Sequence, residues 1–140
     1  MELTIRSWFG EVGIEFRISH KVHRLIREML IEHVMRPYGL DQKDPSTFIG
    51  LVATTTSKTE ILDVRGPEFD KRNNFINYGL WLPYHKINDA SNYLKEYLHY
   101  LFSALVILFN KYQIPEVSIL NVQKMIEEIV LNNIEFEYTD

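Results

Sequence analysis

The sequence predicts an α+β domain: an antiparallel sheet of about five strands, in the order ββαβββαα, with helices packed mainly on one face. Three observations predict it. Apolar and polar residues alternate with period two in residues 1–18 and in several segments between 48 and 82. Three longer stretches repeat apolar residues at helical spacing. The connections between strand-like segments are short, which favours antiparallel neighbours. The chain has 140 residues, 46 % of them hydrophobic and 13 % aromatic. That suits one domain, 1–140, able to bury its own core without a metal or disulfide staple.

Leu3, Ile5, Ser7 and Phe9 alternate with Thr4, Arg6 and Trp8. Gly10-Glu11 suits a tight turn into a second strand through Val12, Ile14, Phe16 and Ile18. Ser19 can cap the helix that follows, whose inner face is Val22, Leu25, Ile26, Met29, Leu30 and Val34. Arg36-Pro37 should end it, because the residue before proline is pushed out of the α region. Phe48 to Thr56 is rich in strand formers. Ser57-Lys58 reads as a turn, Thr59 to Arg65 as the returning strand, and Gly66-Pro67 as its break. Phe75 to Leu82 is the fifth strand. Its Phe75, Asn77, Gly79 and Trp81 share one side; Ile76, Tyr78, Leu80 and Leu82 share the other, the better core side. Asn88-Asp89 caps a helix to about Tyr112, amphipathic through Tyr93, Leu94, Tyr97, Leu98 and Leu101 and then apolar all round. Ile114-Pro115 closes it. Ser118 opens a last helix to about Asn132, and Ile134, Phe136 and Tyr138 allow a short terminal strand.

Composition excludes several classes of function. No cysteine is present, so disulfides, thiol nucleophiles, zinc ribbons and iron–sulfur sites are excluded. This fits a cytoplasmic protein. The start, Met1 to Trp8, lacks the basic leader and apolar run of a signal peptide. Leu101 to Phe109, the most apolar run, falls short of the ~20 residues a membrane-spanning helix needs. The net charge is −4. All of it sits after residue 115, where Lys124 stands against Glu116, Glu127, Glu128, Glu135, Glu137 and Asp140. Such a surface repels phosphate backbones, which argues against nucleic acid as a partner, and attracts a basic protein. It also serves plain solubility.

No constellation carries recognisable chemistry. His20 and His23 lie one turn apart, but His33, His85 and His99 offer no evident third ligand, so neither metal nor cofactor is expected. Asp63, Glu68 and Asp70 stand near Arg65, Lys71 and Arg72, a pattern of surface ion pairing more than of paired catalytic carboxylates. Thr54 to Thr59 lacks the glycine framework of a phosphate loop, and no serine sits in a nucleophile elbow. Trp8 and Trp81 fall on the poorer core side of their strands, so helices on one face would leave them on the other. Tryptophan, tyrosine and arginine are the usual anchors of protein interfaces. Cross-strand packing is the other use for such residues.

Arg65-Gly66-Pro67, then Asn77-Tyr78-Gly79-Leu80-Trp81-Leu82-Pro83-Tyr84, followed by two apolar helices, resembles small immunity proteins of bacterial polymorphic toxin systems. The resemblance covers roughly residues 60–132. It implies a non-enzymatic cytosolic protein that binds one cognate toxin and neutralises it by occlusion; the acidic surface suits a basic toxin such as a nuclease. The residues expected to meet that partner are Trp8, Arg65, Glu68, Trp81, Tyr84 and His85, with Glu127 and Glu128 second. The alternative is a small-molecule-binding or enzymatic domain with a pocket between the sheet and the long helix, lined by Tyr78, Tyr93, Tyr97 and His99. A third use is oligomerisation through the 101–109 run. The sequence leaves the oligomeric state open.

Overall fold

Leu3, Ile5, Ile49, Leu51, Ala53, Tyr78, Leu80 and Leu82 are all buried. Their period-two spacing places them on one face of a sheet. The computed structural model describes residues 2–8, 18, 20–42, 48–56, 61–72, 75–83 and 93–133, without the side chains of 6–8, 48, 54–56 and 93. Among the described residues four strands form the sheet: β1 (Glu2–Trp8), β2 (Phe48–Thr56), β3 (Asp63–Asp70) and β4 (Phe75–Pro83). Their order across the sheet is β1-β2-β4-β3. The α-helices among the described residues, α1 (His20–Leu30), α2 (Tyr93–Asn110) and α3 (Glu116–Val130), make this an α+β architecture.

The sheet is mixed, which corrects the antiparallel expectation. β1 runs parallel to β2, and β2 parallel to β4; only β3 and β4 are antiparallel. The helix α1 lies between β1 and β2 in sequence. It lets the chain return to the starting end of the sheet, as parallel neighbours require. β2 and β3 are therefore not hairpin partners, and Ser57-Lys58 lies outside the described residues. β4 inserts between β2 and β3, so the local hairpin is β3–β4. The expected second strand, 12–18, lies outside the described residues except for Ile18, which is buried. The terminal segment 134–138, Ser19 and the Asn88-Asp89 cap lie outside them too.

Gly66-Pro67 does not break β3 as expected. The strand runs through it with a register shift between Arg65 and Glu68, so two residues oppose Tyr78 alone. Proline is tolerated because β3 is the edge of the sheet among the described strands and the site is a bulge. Gly66 has φ +117°, and a Cβ there would lie 2.7 Å from the Asn77 carbonyl oxygen.

The helices cover the Leu3, Leu51 and Leu80 face. α2 is buried along most of its girth through Leu94, Tyr97, Leu98, Leu101, Phe102, Ala104, Leu105, Leu108 and Phe109. α1 adds Val22 and Ile26, and α3 adds Ile119, Val122, Ile126 and Val130. Two helix ends differ from expectation. After α1 the chain widens into a π-helical turn, Ile31–Met35, and Arg36 keeps a helical backbone (φ −62°, ψ −47°). A π turn moves the residue-33 carbonyl off the ring of Pro37, which would clash with it in a regular α-helix. The real terminator is Gly39 at φ +73°. Its N–H donates to the Arg36 carbonyl at 3.0 Å, and the Leu40 N–H to the Met35 carbonyl at 2.8 Å. These are the two bonds of a Schellman end, and buried Leu40 and Met35 supply its apolar contact. α2 ends the same way. Gln113 takes the left-handed position at φ 62°, with Gln113 N–H on the Asn110 carbonyl and Ile114 N–H on that of Phe109.

Candidate functional site

The other face of the sheet can be read as four rows, because the register is known across all strands. Glu2, Phe48, Phe75 and Asp70 form the first row, and Thr4, Gly50, Asn77 and Glu68 the second. Arg6, Val52, Gly79 and Arg65 form the third; Trp8, Thr54, Trp81 and Asp63 the fourth. None of the described helices packs its buried side chains here. Val52 is 40 % exposed in the middle of the sheet, which a strand covered on both sides would not be.

The third and fourth rows hold an ordered cluster. The Arg65 guanidinium lies 3.7 Å above the Trp81 ring, and its Nε donates to Asp63 Oδ2 at 2.7 Å. Gly79, directly opposite Arg65, makes room for this. A Cβ at Gly79 would stand 3.2 Å from the indole Nε1, so the indole folds over the bare backbone. Stacking and ion pairing both fix the guanidinium, and the charge-assisted bond limits its rotamers. A surface with such preorganised aromatic and arginine side chains loses little entropy on meeting a partner.

The first two rows form a shallow groove of about 330 Å³, lined by residues that include Thr4, Gly50, Asp70, Phe75 and Asn77. Gly50 is buried because the Phe75 ring covers it; a Cβ there would collide with that ring. Glu68 and Asp70 are exposed beside the groove.

The structure divides the expected contact residues. It brings Arg65, Trp81 and Glu68 onto one face. Trp8 shares a row with Trp81, and its side chain lies outside the described residues. Tyr84 and His85 also lie outside them. Glu127 and Glu128 belong to α3, in the helical layer on the far side of the sheet. Glu127 accepts from Gln123 Nε2 at 3.0 Å and lines a helix groove with Lys95, Glu96, His99 and Tyr100. Glu128 lines another with His33, Ser118 and Lys124. The eight residues thus do not form one patch. Asp63, Gly50, Gly79 and Phe75 were missed as site residues. The signal for them was two glycines in otherwise strand-forming segments, each lying under an aromatic ring.

Of the residues named for an interior pocket, Tyr78, Tyr97 and His99 do not come together, and the side chain of Tyr93 lies outside the described residues. Tyr97 is fully buried, and its hydroxyl lies 3.1 Å from His23 Nε2, where α1 meets α2. Tyr78 is buried against the end of α2, its hydroxyl 3.1 Å from that of Tyr112. Lys111 Nζ stands 5.3 Å from the Tyr78 ring and donates to the Gly66 carbonyl at 3.5 Å. Burial pushes the Tyr78 phenol well above the usual tyrosine range, and the bond to Tyr112 adds to this. His99 is exposed on the opposite side of α2, edge-on to Tyr100 at 4.9 Å between ring centroids. Burial and then the Glu96 carboxylate raise the Tyr100 phenol. Among the described residues no three His, Asp or Glu side chains gather as metal ligands. None of the described helices is long and apolar enough to cross a membrane.

Comparison with known protein families, with curated proteins and with solved structures gives no match in any of the three.

Proposed function

We propose that this chain is an inhibitory binding protein of the toxin-immunity type, which docks its cognate toxin on the open face of the sheet and blocks it by occlusion. The observation that carries the reading is the Arg65–Trp81–Asp63 cluster, an ordered aromatic and arginine anchor on a face that the described helices leave uncovered. Anchors of this composition dominate binding energy at protein interfaces. In this reading the protein is cytoplasmic and non-enzymatic, takes no cofactor and contacts neither nucleic acid nor membrane. Glu127 and Glu128 act as long-range attraction for a basic toxin, not as contacts. The test is co-expression with the product of the neighbouring gene, which this reading expects to carry a toxin domain. Growth should be rescued, and a complex should form that Trp81→Ala weakens. Absence of both rescue and complex overturns the reading.

A further inference from the structure

The most apolar run of the sequence, 101–109, is spent on the core: Leu101, Phe102, Leu105, Leu108 and Phe109 are fully buried, and only Ile107 of its large apolar residues stays exposed. The exposed apolar surface of the helical layer lies on α3 instead. Val117 is 62 % exposed, Leu120 42 % and Leu131 41 %. Leu131 continues the helical backbone past Val130 (φ −75°, ψ −19°). Val117, Leu120, Lys124, Glu127 and Leu131 recur at spacings of three and four residues, so they form one stripe along the helix. That is the a and d spacing of a coiled-coil seam. The buried face of α3, through Ile119, Val122, Ile126 and Val130, points elsewhere.

The two polar residues of the stripe have opposite charge. Lys124 is exposed and forms no ion pair among the described residues. Glu127 accepts from Gln123 through Oε1. When the stripe meets a second stripe of the same sequence, the charges decide the direction. Parallel helices about a twofold axis would set Lys124 on Lys124 and Glu127 on Glu127. Antiparallel helices, in which a positions face d positions, set Lys124 on Glu127 and Leu120 on Leu131, each pair occurring twice.

We propose that α3 is a self-association surface, on which a second copy of this chain packs its own α3 antiparallel, with Lys124 of each copy paired to Glu127 of the other. This goes beyond the docking reading and does not rest on it. α3 lies across the sheet from the open face, so both open faces of the dimer stay free and point outward. One helix of 15 residues against another covers less than the ~1,200 Å² of a standard stable interface, so the dimer is weak, with a Kd of about a micromolar or higher.

Sedimentation equilibrium of the full chain over micromolar to millimolar concentrations tests it, with circular dichroism to show that each variant is folded. Monomer should give way to dimer as concentration rises. Leu120→Glu should abolish the dimer. Lys124→Glu and Glu127→Lys, each turning two attractive pairs into repulsive ones, should weaken it by at least about fivefold. Lys124→Glu/Glu127→Lys in one chain should restore it. A monomer at every concentration overturns the proposal. So does a double variant no tighter than the single ones. A dimer that survives Leu120→Glu but is lost in Trp81→Ala overturns it too, and places self-association on the open face. Failure of any of these leaves the toxin co-expression result unaffected.

Discussion

Removing the Arg65 guanidinium should lower stability by about 1 kcal/mol, a small loss that separates an interface anchor from a structural keystone. The figure follows from the geometry. An exposed cation over an aromatic face contributes ~0.5–1 kcal/mol, and an exposed ion pair ~0.2–1 kcal/mol. Arg65 and Asp63 keep 56 % and 46 % of their side-chain surface, so both interactions sit in high dielectric. The two share one side chain and do not simply add. Urea denaturation of Arg65→Ala should therefore shift the midpoint with an unchanged slope, since the surface exposed on unfolding is nearly the same. A double-mutant cycle with Trp81→Leu isolates the stacking term, expected at roughly 0.5–1 kcal/mol. Coupling indistinguishable from zero would refute the stacked arrangement. A loss above ~3 kcal/mol would also refute the reasoning, because changes of that size come from cores and buried networks. In partner binding the same substitution should cost more than in folding, at least ~2 kcal/mol or about thirtyfold in Kd.

Three further outcomes test the framework behind this face. Gly66→Ala should destabilise by roughly 1–3 kcal/mol in thermal or urea unfolding, since φ +117° disfavours any Cβ and the added carbon meets the Asn77 carbonyl oxygen at 2.7 Å. Gln113→Gly should stabilise by up to ~1 kcal/mol, because residue 113 holds the left-handed position of a Schellman end at φ 62°. Stability should be level with respect to Tyr78 below pH 10 and fall above it, since the folded phenol ionises later than the unfolded one. While only the unfolded phenol ionises, that slope approaches ~1.4 kcal/mol per pH unit, and Tyr78→Phe should remove it from the pH profile.

The strand 75–83 was legible because period-two alternation survives any strand order: Tyr78, Leu80 and Leu82 are buried whichever neighbours they have. The face of Trp81 followed from the same pattern. Strand order was not legible, because short connections cannot reveal that β4 slides between β2 and β3, or that α1 serves a parallel return. Gly66-Pro67 misled for a related reason. Proline stops a central strand, but this one lies at the edge of the described strands, where a bulge admits it. Arg36 and Gln113 break local preference, one helical before proline and one left-handed without being glycine, and tertiary packing around Leu40 and Ile114 overrides it. The cluster of Arg65, Asp63 and Trp81 needed the β3–β4 register, which no single strand contains. Glu127 and Glu128 were grouped with it by charge alone, and charge does not report which side of the sheet a helix occupies.

The central claim is that the open sheet face, not the helical layer, meets the partner. Hydroxyl-radical footprinting of the chain alone and in complex with the toxin-like domain tests it directly. Both layers carry reactive reporters: Trp81 and Phe75 on the sheet, and Val117 and Leu120, 62 % and 42 % exposed, on α3. The account predicts that Trp81 and Phe75 are protected in the complex while Val117 and Leu120 react as before. Protection of Val117 and Leu120 with Trp81 and Phe75 unchanged would contradict it.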